Sequence, residues 1–221
     1  MIVAIDGPAG SGKSTVARRL AEVLGYTYVD TGAIYRCLGL AARRAGLRPE
    51  QEAEVAALAD RIAIGFDGPA TAQRVSLDGE DVSEAIRTSE VSMLASAVSA
   101  RPAVRAALLD LQRRLGGEGV SVLEGRDIGT VVFPEAQAKF FVTASAEVRA
   151  ERRYRELVAR GESVTLEQVR RKQDERDRAD SERAVAPLKP AEDAELVDTS
   201  GMTIDAVVAR LERRVKEIAA S

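Results

Sequence analysis

I-V-A-I-D-G-P-A-G-S-G-K-S-T, residues 2–15, is the stretch on which the reading of this chain turns. Residues 2–6 are a short apolar run closed by an Asp, which predicts a buried strand. Residues 13–24 place Val16, Ala17, Leu20, Val23 and Leu24 at helical spacing, and Gly25 is a natural stop. Between them, residues 7–14 read G-x-x-x-x-G-K-[ST], a phosphate-binding loop in the setting its chemistry requires. Gly7, Gly10 and Gly12 let the backbone curl so that successive N–H groups point inward. Those groups and the positive helix end hold a polyphosphate. Gly7, Pro8, Ala9, Gly10, Ser11, Gly12, Lys13, Ser14 and Thr15 are thus the expected ATP site. Lys13 is expected to reach the β- and γ-phosphates, Ser14 to offer its hydroxyl to Mg²⁺, and Thr15 to approach the α-phosphate. The loop alone leaves open whether the phosphoryl acceptor is water or a metabolite.

Outward from the loop, residues 26–30 (Y-T-Y-V-D) predict a second strand, and a helix follows from about Ala33 to Arg44. Strand, helix, strand, helix predicts an α/β fold with a parallel sheet and right-handed crossovers. Residues 62–83 change character, alternating in short pieces joined by D-G-P-A and D-G-E turns. They predict a small antiparallel insert. Helices over about 88–99 and 103–115, strands at 119–124 and 138–143, a charged helical stretch over about 146–183, a strand at 195–198 and a helix at 203–219 complete the pattern. The expected division is a core of 1–61 and 101–221, an insert of 62–100, and a lid at about 149–183.

Composition narrows the function classes. The 221 residues carry a net charge of −3, which argues against a general nucleic-acid-binding surface. One cysteine, Cys37, excludes an intrachain disulfide and is expected to be a small packing residue. No apolar run reaches membrane-spanning length, and no signal peptide opens the chain, so a cytoplasmic location is expected. There is no His, which excludes a His base, and no Asn; cations are nearly all Arg, with five Lys. A thermophilic source or a GC-rich genome explains that bias equally well.

Ligands of parallel sheets bind at the carboxyl ends of the strands. There the chain places Asp30 followed by T-G-A-I-Y-R, with Arg36 able to fork onto a phosphate, and E-G-R-D-I-G, with Arg126 and Asp127 at a tight turn. The third cluster is R-D-R-A-D-S-E-R, residues 176–183, within a stretch (149–183) of eleven basic and nine acidic residues. Such a charge run is usually a solvated helix face. Arg176 and Asp180 share a face one turn apart, and Arg183 is expected to add to it. Arg152 and Arg153 are further lid candidates. Arginines on a mobile lid can neutralise charge during phosphoryl transfer.

Five segments together resemble bacterial cytidylate kinases of the nucleoside monophosphate kinase group. They are D-G-P-A-G-S-G-K-S-T (6–15), D-T-G-A-I-Y-R (30–36), D-G-E-D-V-S-E-A-I-R (78–87), E-G-R-D-I-G-T-V-V-F-P (124–134) and R-D-R-A-D-S-E-R-A-V-A-P-L (176–188). The resemblance implies a P-loop core, an insert that binds the nucleoside monophosphate, a short lid, and ATP with Mg²⁺ as cofactors. It implies Thr31 and Asp180 near the ribose; Arg36, Arg126, Arg176 and Arg183 on the monophosphate or the transferring phosphate; and Ser96, Arg105 and Asp127 at the cytosine edge. Lys13, Arg126, Arg176 and Arg183 would carry catalysis, and CMP and dCMP would be the acceptors. The expectation includes neither nucleic-acid nor membrane partners, and a monomer. A kinase for another small acceptor, such as UMP, AMP or shikimate, is the nearest rival. A P-loop ATPase or GTPase switch is disfavoured by the absence of N-K-x-D and by so many acceptor-side arginines.

Overall fold

The computed structural model describes residues 1–117 and 119–220. Its main sheet has five parallel strands in the order β2-β6-β1-β7-β8: β1 (Ile2–Asp6), β2 (Thr27–Asp30), β6 (Ser121–Gly125), β7 (Ala138–Thr143) and β8 (Glu195–Asp198). Both faces of this sheet are covered, which is why its strands read as continuous apolar runs. One face packs on α1 (Lys13–Leu24) and α8 (Ile204–Ala219) through Leu20, Phe140, Val197 and Leu211. Helices α4 (Ser89–Ser99) and α5 (Pro102–Gly117) precede β6, and α2 (Thr31–Arg44) follows β2. Ile34, Leu38, Ala95, Val104 and Leu108 form a second core among α2, α4 and α5. The antiparallel pieces are β3 (Ile64–Asp67), β4 (Arg74–Leu77) and β5 (Glu80–Asp81), paired in that order as a separate sheet.

Register brings the chemistry to one row. Asp30 of β2 stands beside Glu124 of β6, and Asp6 of β1 beside Gly125. β2 and β6 lie on one side of β1, β7 and β8 on the other, so the crevice opens where strand order reverses.

Three local features depart from the expected elements. A helix α3 (Glu52–Ala59), unanticipated, buries only Val55 and Ala59, too short a stripe to stand out from its Ala-rich surroundings. The 146–183 stretch is two helices, α6 (Ala146–Ala159) and α7 (Leu166–Glu182). Gly161 takes a left-handed φ of 80°, and Thr165 with Gln168 forms a capping box that starts α7 afresh. Finally, α2 begins at Thr31 because Asp30 Oδ1 caps it, accepting from Ala33 N at 2.9 Å.

Helices α2 and α4 cross closely at Gly39, where a Cβ would stand 3.2 Å from Ala95 N and 3.2 Å from Leu94 Cβ. Overpacking by Gly39→Val should cost about 1–3 kcal/mol, more than the roughly 0.5 kcal/mol that a β-branched residue recovers over a helical glycine, so the variant should be less stable. A urea midpoint equal to or above that of the parent protein would contradict this packing.

Candidate functional site

The loop after β1 is built as its glycines demand. A Cβ on Gly7, whose φ is 150°, would stand 2.0 Å from Val142 O, so no larger residue lets the chain leave β1 against β7. Gly12 precedes α1 with no side-chain cap, leaving the first N–H groups of α1 free for an anion. Lys13 is buried, and its Nζ donates to Pro8 O at 3.1 Å, folded across the loop. Ser14 Oγ donates to Glu124 Oε2 at 2.7 Å, and Tyr28 Oη donates to Glu124 Oε1.

A cavity of about 640 Å³ starts at this loop and runs along the strand ends. Thr31, Arg36, Arg126, Arg176 and Asp180 border its middle; Ser96, Arg105, Asp127 and Arg183 border its far end. Thr15 borders it at the loop, whereas Gly7 and Pro8 do not line it.

In the middle, each cation but two has a carboxylate. Arg36 donates to Asp30 Oδ2 at 2.7 Å, and Arg126 Nε donates to Asp180 Oδ2 at 2.9 Å. Burial would raise the Asp180 carboxyl, but Arg126 and Arg176 hold it below its ordinary value. Among the described residues, Lys13 and Arg176 form no ion pair, and Arg176 Nε is buried with no hydrogen-bond partner. Burial, reinforced by the Arg126 charge, lowers Lys13 to about 7 and Arg176 to about 10. Thr31 is buried and its hydroxyl donates to Glu124 O at 2.7 Å, so in this structure it braces β6.

At the far end, Asp127 is buried and accepts from Arg105 at Oδ2 and from Arg183 at Oδ1, the latter at 3.3 Å. Arg105 lies over the Tyr35 ring, 5.5 Å from its centroid, and donates to Ser99 O at 3.2 Å. Arg183 does not extend the Arg176–Asp180 helix face. It is the residue at which α7 ends, with ψ of 140°, and the extended backbone turns its guanidinium toward Asp127. The two further lid candidates also differ in setting. Arg152 grips the core, donating to Ser11 O at 3.2 Å and Thr199 O at 2.8 Å, while Arg153 pairs with Glu156 at 2.8 Å.

Two acids have roles that no sequence motif discloses. Asp6 accepts from Ile128 N and Gly129 N, both at 2.8 Å, and so fastens the turn that presents Arg126 and Asp127. Burial raises its carboxyl to about 6 against those two hydrogen bonds. Glu124 collects Ser14 and Tyr28. The one signal for both in the sequence is an acid closing an otherwise apolar strand.

A sequence profile of the family described as cytidylate kinase matches residues 3–217. A cytidylate kinase of Geobacter sp. (strain M21) is 53% identical over 217 residues, 98% of this chain and 93% of its own. One from Syntrophotalea carbinolica is 54% identical over 217 residues, 98% of this chain and 92% of its own. An uncharacterized protein from Eubacterium ventriosum shares the fold, with a TM-score of 0.53 at 13% identity, covering 100% of this chain and 99% of its own.

Lys13 offers a direct check of the charge balance. With five lysines in the chain, the Cε signals are few enough to assign by comparison with Lys13→Ala. The signal lost in that variant should titrate with a midpoint near 7 in the free protein, and a bound polyphosphate should move it upward. A midpoint above 10 in the free protein would contradict the arrangement.

Proposed function

The chain belongs to the cytidylate kinase family, and from that premise we propose that it moves the γ-phosphoryl group of ATP to the phosphate of CMP or dCMP. One observation carries the reading: a single cavity joins an uncapped phosphate loop to a buried Arg105–Asp127 pair, with unpaired cations between them. ATP would lie on residues 7–15, its phosphates replacing Pro8 O as the partner of Lys13. The acceptor phosphate would take Arg36, Arg126 and Arg176, and Asp180 and Thr31 would face the ribose. That phosphate is ionised at neutral pH, so no general base is needed, and positioning with charge neutralisation suffices.

The donor set fits magnesium in one position. Ser14 Oγ donates its hydrogen bond to Glu124 and keeps its lone pairs for a cation. No cluster of three His, Cys, Asp or Glu side chains among the described residues is arranged to hold a metal. A magnesium ion would thus take Ser14 and complete its shell with phosphates and water, where it would neutralise charge on the phosphates. No helix among the described residues is long and apolar enough to cross a membrane. A cytoplasmic monomer is the setting proposed here.

The insert, 62–100, would carry the acceptor and the lid would close over both nucleotides. Arg149 and Arg152 are held by the core, so the moving part is the outer portion of α6 and α7. Amides of 154–170 should exchange faster than those of β1 in the free protein and gain protection when both nucleotides bind. Equal protection of the two regions, with and without ligand, would contradict a lid.

Cytosine presents a 4-amino donor and an N3 acceptor, and uracil reverses them. Asp127 accepts and Arg105 donates, so the pair matches cytosine and sets a carboxylate against O4 of uracil. Such a buried mismatch is worth roughly 10²-fold or more in discrimination. Asp127→Asn should lower kcat/KM for CMP and narrow the CMP/UMP ratio, because an amide can donate to O4. An unchanged ratio would remove Asp127 from base reading.

A further inference from the structure

We infer that Arg149 and Asp177 form a tether that sets the position of Arg176 relative to the phosphate-binding loop. The inference rests on the proposal that Arg176 acts on the transferring phosphate. Arg149 lies in the first turn of α6 and is buried. Its Nε donates to Ala144 O at 3.0 Å, and its Nη1 donates to Ala9 O at 3.2 Å and to Asp177 Oδ2 at 2.5 Å. One guanidinium thereby joins the segment after β7, the phosphate loop and α7. The loop rests directly on this residue: a Cβ on Gly10 would stand 2.9 Å from Arg149 O and 3.2 Å from Arg149 Cβ. A lysine cannot reproduce the arrangement, since a single ammonium lacks the fork that reaches several acceptors at once.

Asp177 immediately follows Arg176, so fixing its carboxylate fixes the turn of α7 that carries the arginine. Arg176 needs this, because its own Nε is buried without a partner. Gln173 fastens the same helix one turn earlier, donating to Ala146 O at 3.1 Å. That bond ties α7 to α6 and does not reach the loop. Asp177 is held through one oxygen only, its Oδ1 being buried and unpartnered, so losing the Arg149 bond frees the helix from the loop. Arg149 and Asp177 are thus positioning residues: neither borders the cavity, and both act through Arg176 and the loop backbone.

The test is a double-mutant cycle on the full chain, with ATP and CMP. Asp177→Ala should lower kcat on the order of 10-fold, the size of effect expected of a small misplacement. Asp177→Asn, whose amide oxygen still accepts from Arg149, should lose less. Equilibrium affinity for ATP should stay within about twofold in both, since the main-chain grip of Arg149 on Ala9 remains. Arg149→Lys should weaken ATP binding as well as kcat. In an Arg176→Ala background the further loss from Asp177→Ala should vanish. An undiminished loss in that background, or full kcat for Asp177→Ala alone, would overturn the tether while leaving the role of Arg176 intact. Near-normal kcat for Arg176→Ala alone would overturn that role and the tether with it.

Discussion

Everything in this structure is arranged around positive charge held at the carboxyl ends of a parallel sheet with too little negative charge to match it. Lys13 is buried and Arg176 half-buried with its Nε shut off from solvent, neither has a carboxylate partner among the described residues, and the Arg126 charge further lowers the proton affinity of both. A buried charge left unpaired is costly, so the arrangement persists only because the surrounding fold enforces it. Under the proposed function its complement is the charge of two nucleotides meeting end to end, with phosphate oxygens taking the place of Pro8 O as the partner of Lys13.

The enforcement comes from acids placed to orient cations and backbone without neutralising the centre. Asp30 caps α2 and holds Arg36; Asp180 holds Arg126; Asp6 draws in the turn after β6 through two backbone N–H groups. Each acid stands at a strand end, a helix start or on the outer helix, and each aims a residue into the cavity. The far end is different in kind. There Asp127 meets Arg105 and Arg183 in a closed cluster, so carboxylate and guanidinium answer one another where Lys13 and Arg176 have no such partner.

What the sequence disclosed follows the locality of the interactions. The loop was legible because its glycines, lysine and serine act within nine residues, and the strand ends because buried strands read as apolar runs. Antiparallel pairing at 62–83 announced itself through its turns. Helix α3 did not, because two buried residues among alanines make no periodic signal. The break between α6 and α7 was written in Gly161 and the Thr165–Gln168 capping box, but a continuous run of charge hid it. The motifs do not disclose the roles of Asp6 and Glu124, since Asp6 acts on a turn some 120 positions away in the chain, and Ser14 and Glu124 lie 110 apart. Helical spacing puts Arg183 on the face of α7, and the helix ends at that residue.

The central claim, that uncompensated buried charge is held for function, is tested most directly by thermal unfolding of the free protein against Lys13→Met. The sign follows from the lowered Lys13 value: below about pH 7 both folded and unfolded lysine are charged and the burial cost is at its full size. Above it the folded form sheds its proton and the parent protein recovers stability as pH rises toward the unfolded value. At pH 6.5, then, Lys13→Met should unfold at a higher temperature than the parent, by about 2–4 °C for each kcal/mol of relieved cost in a chain of this length, and its turnover should fall by roughly 10²-fold or more. The advantage should shrink as pH is raised to 9. A variant that unfolds at a lower temperature than the parent at pH 6.5, or one that keeps its turnover, would contradict the account.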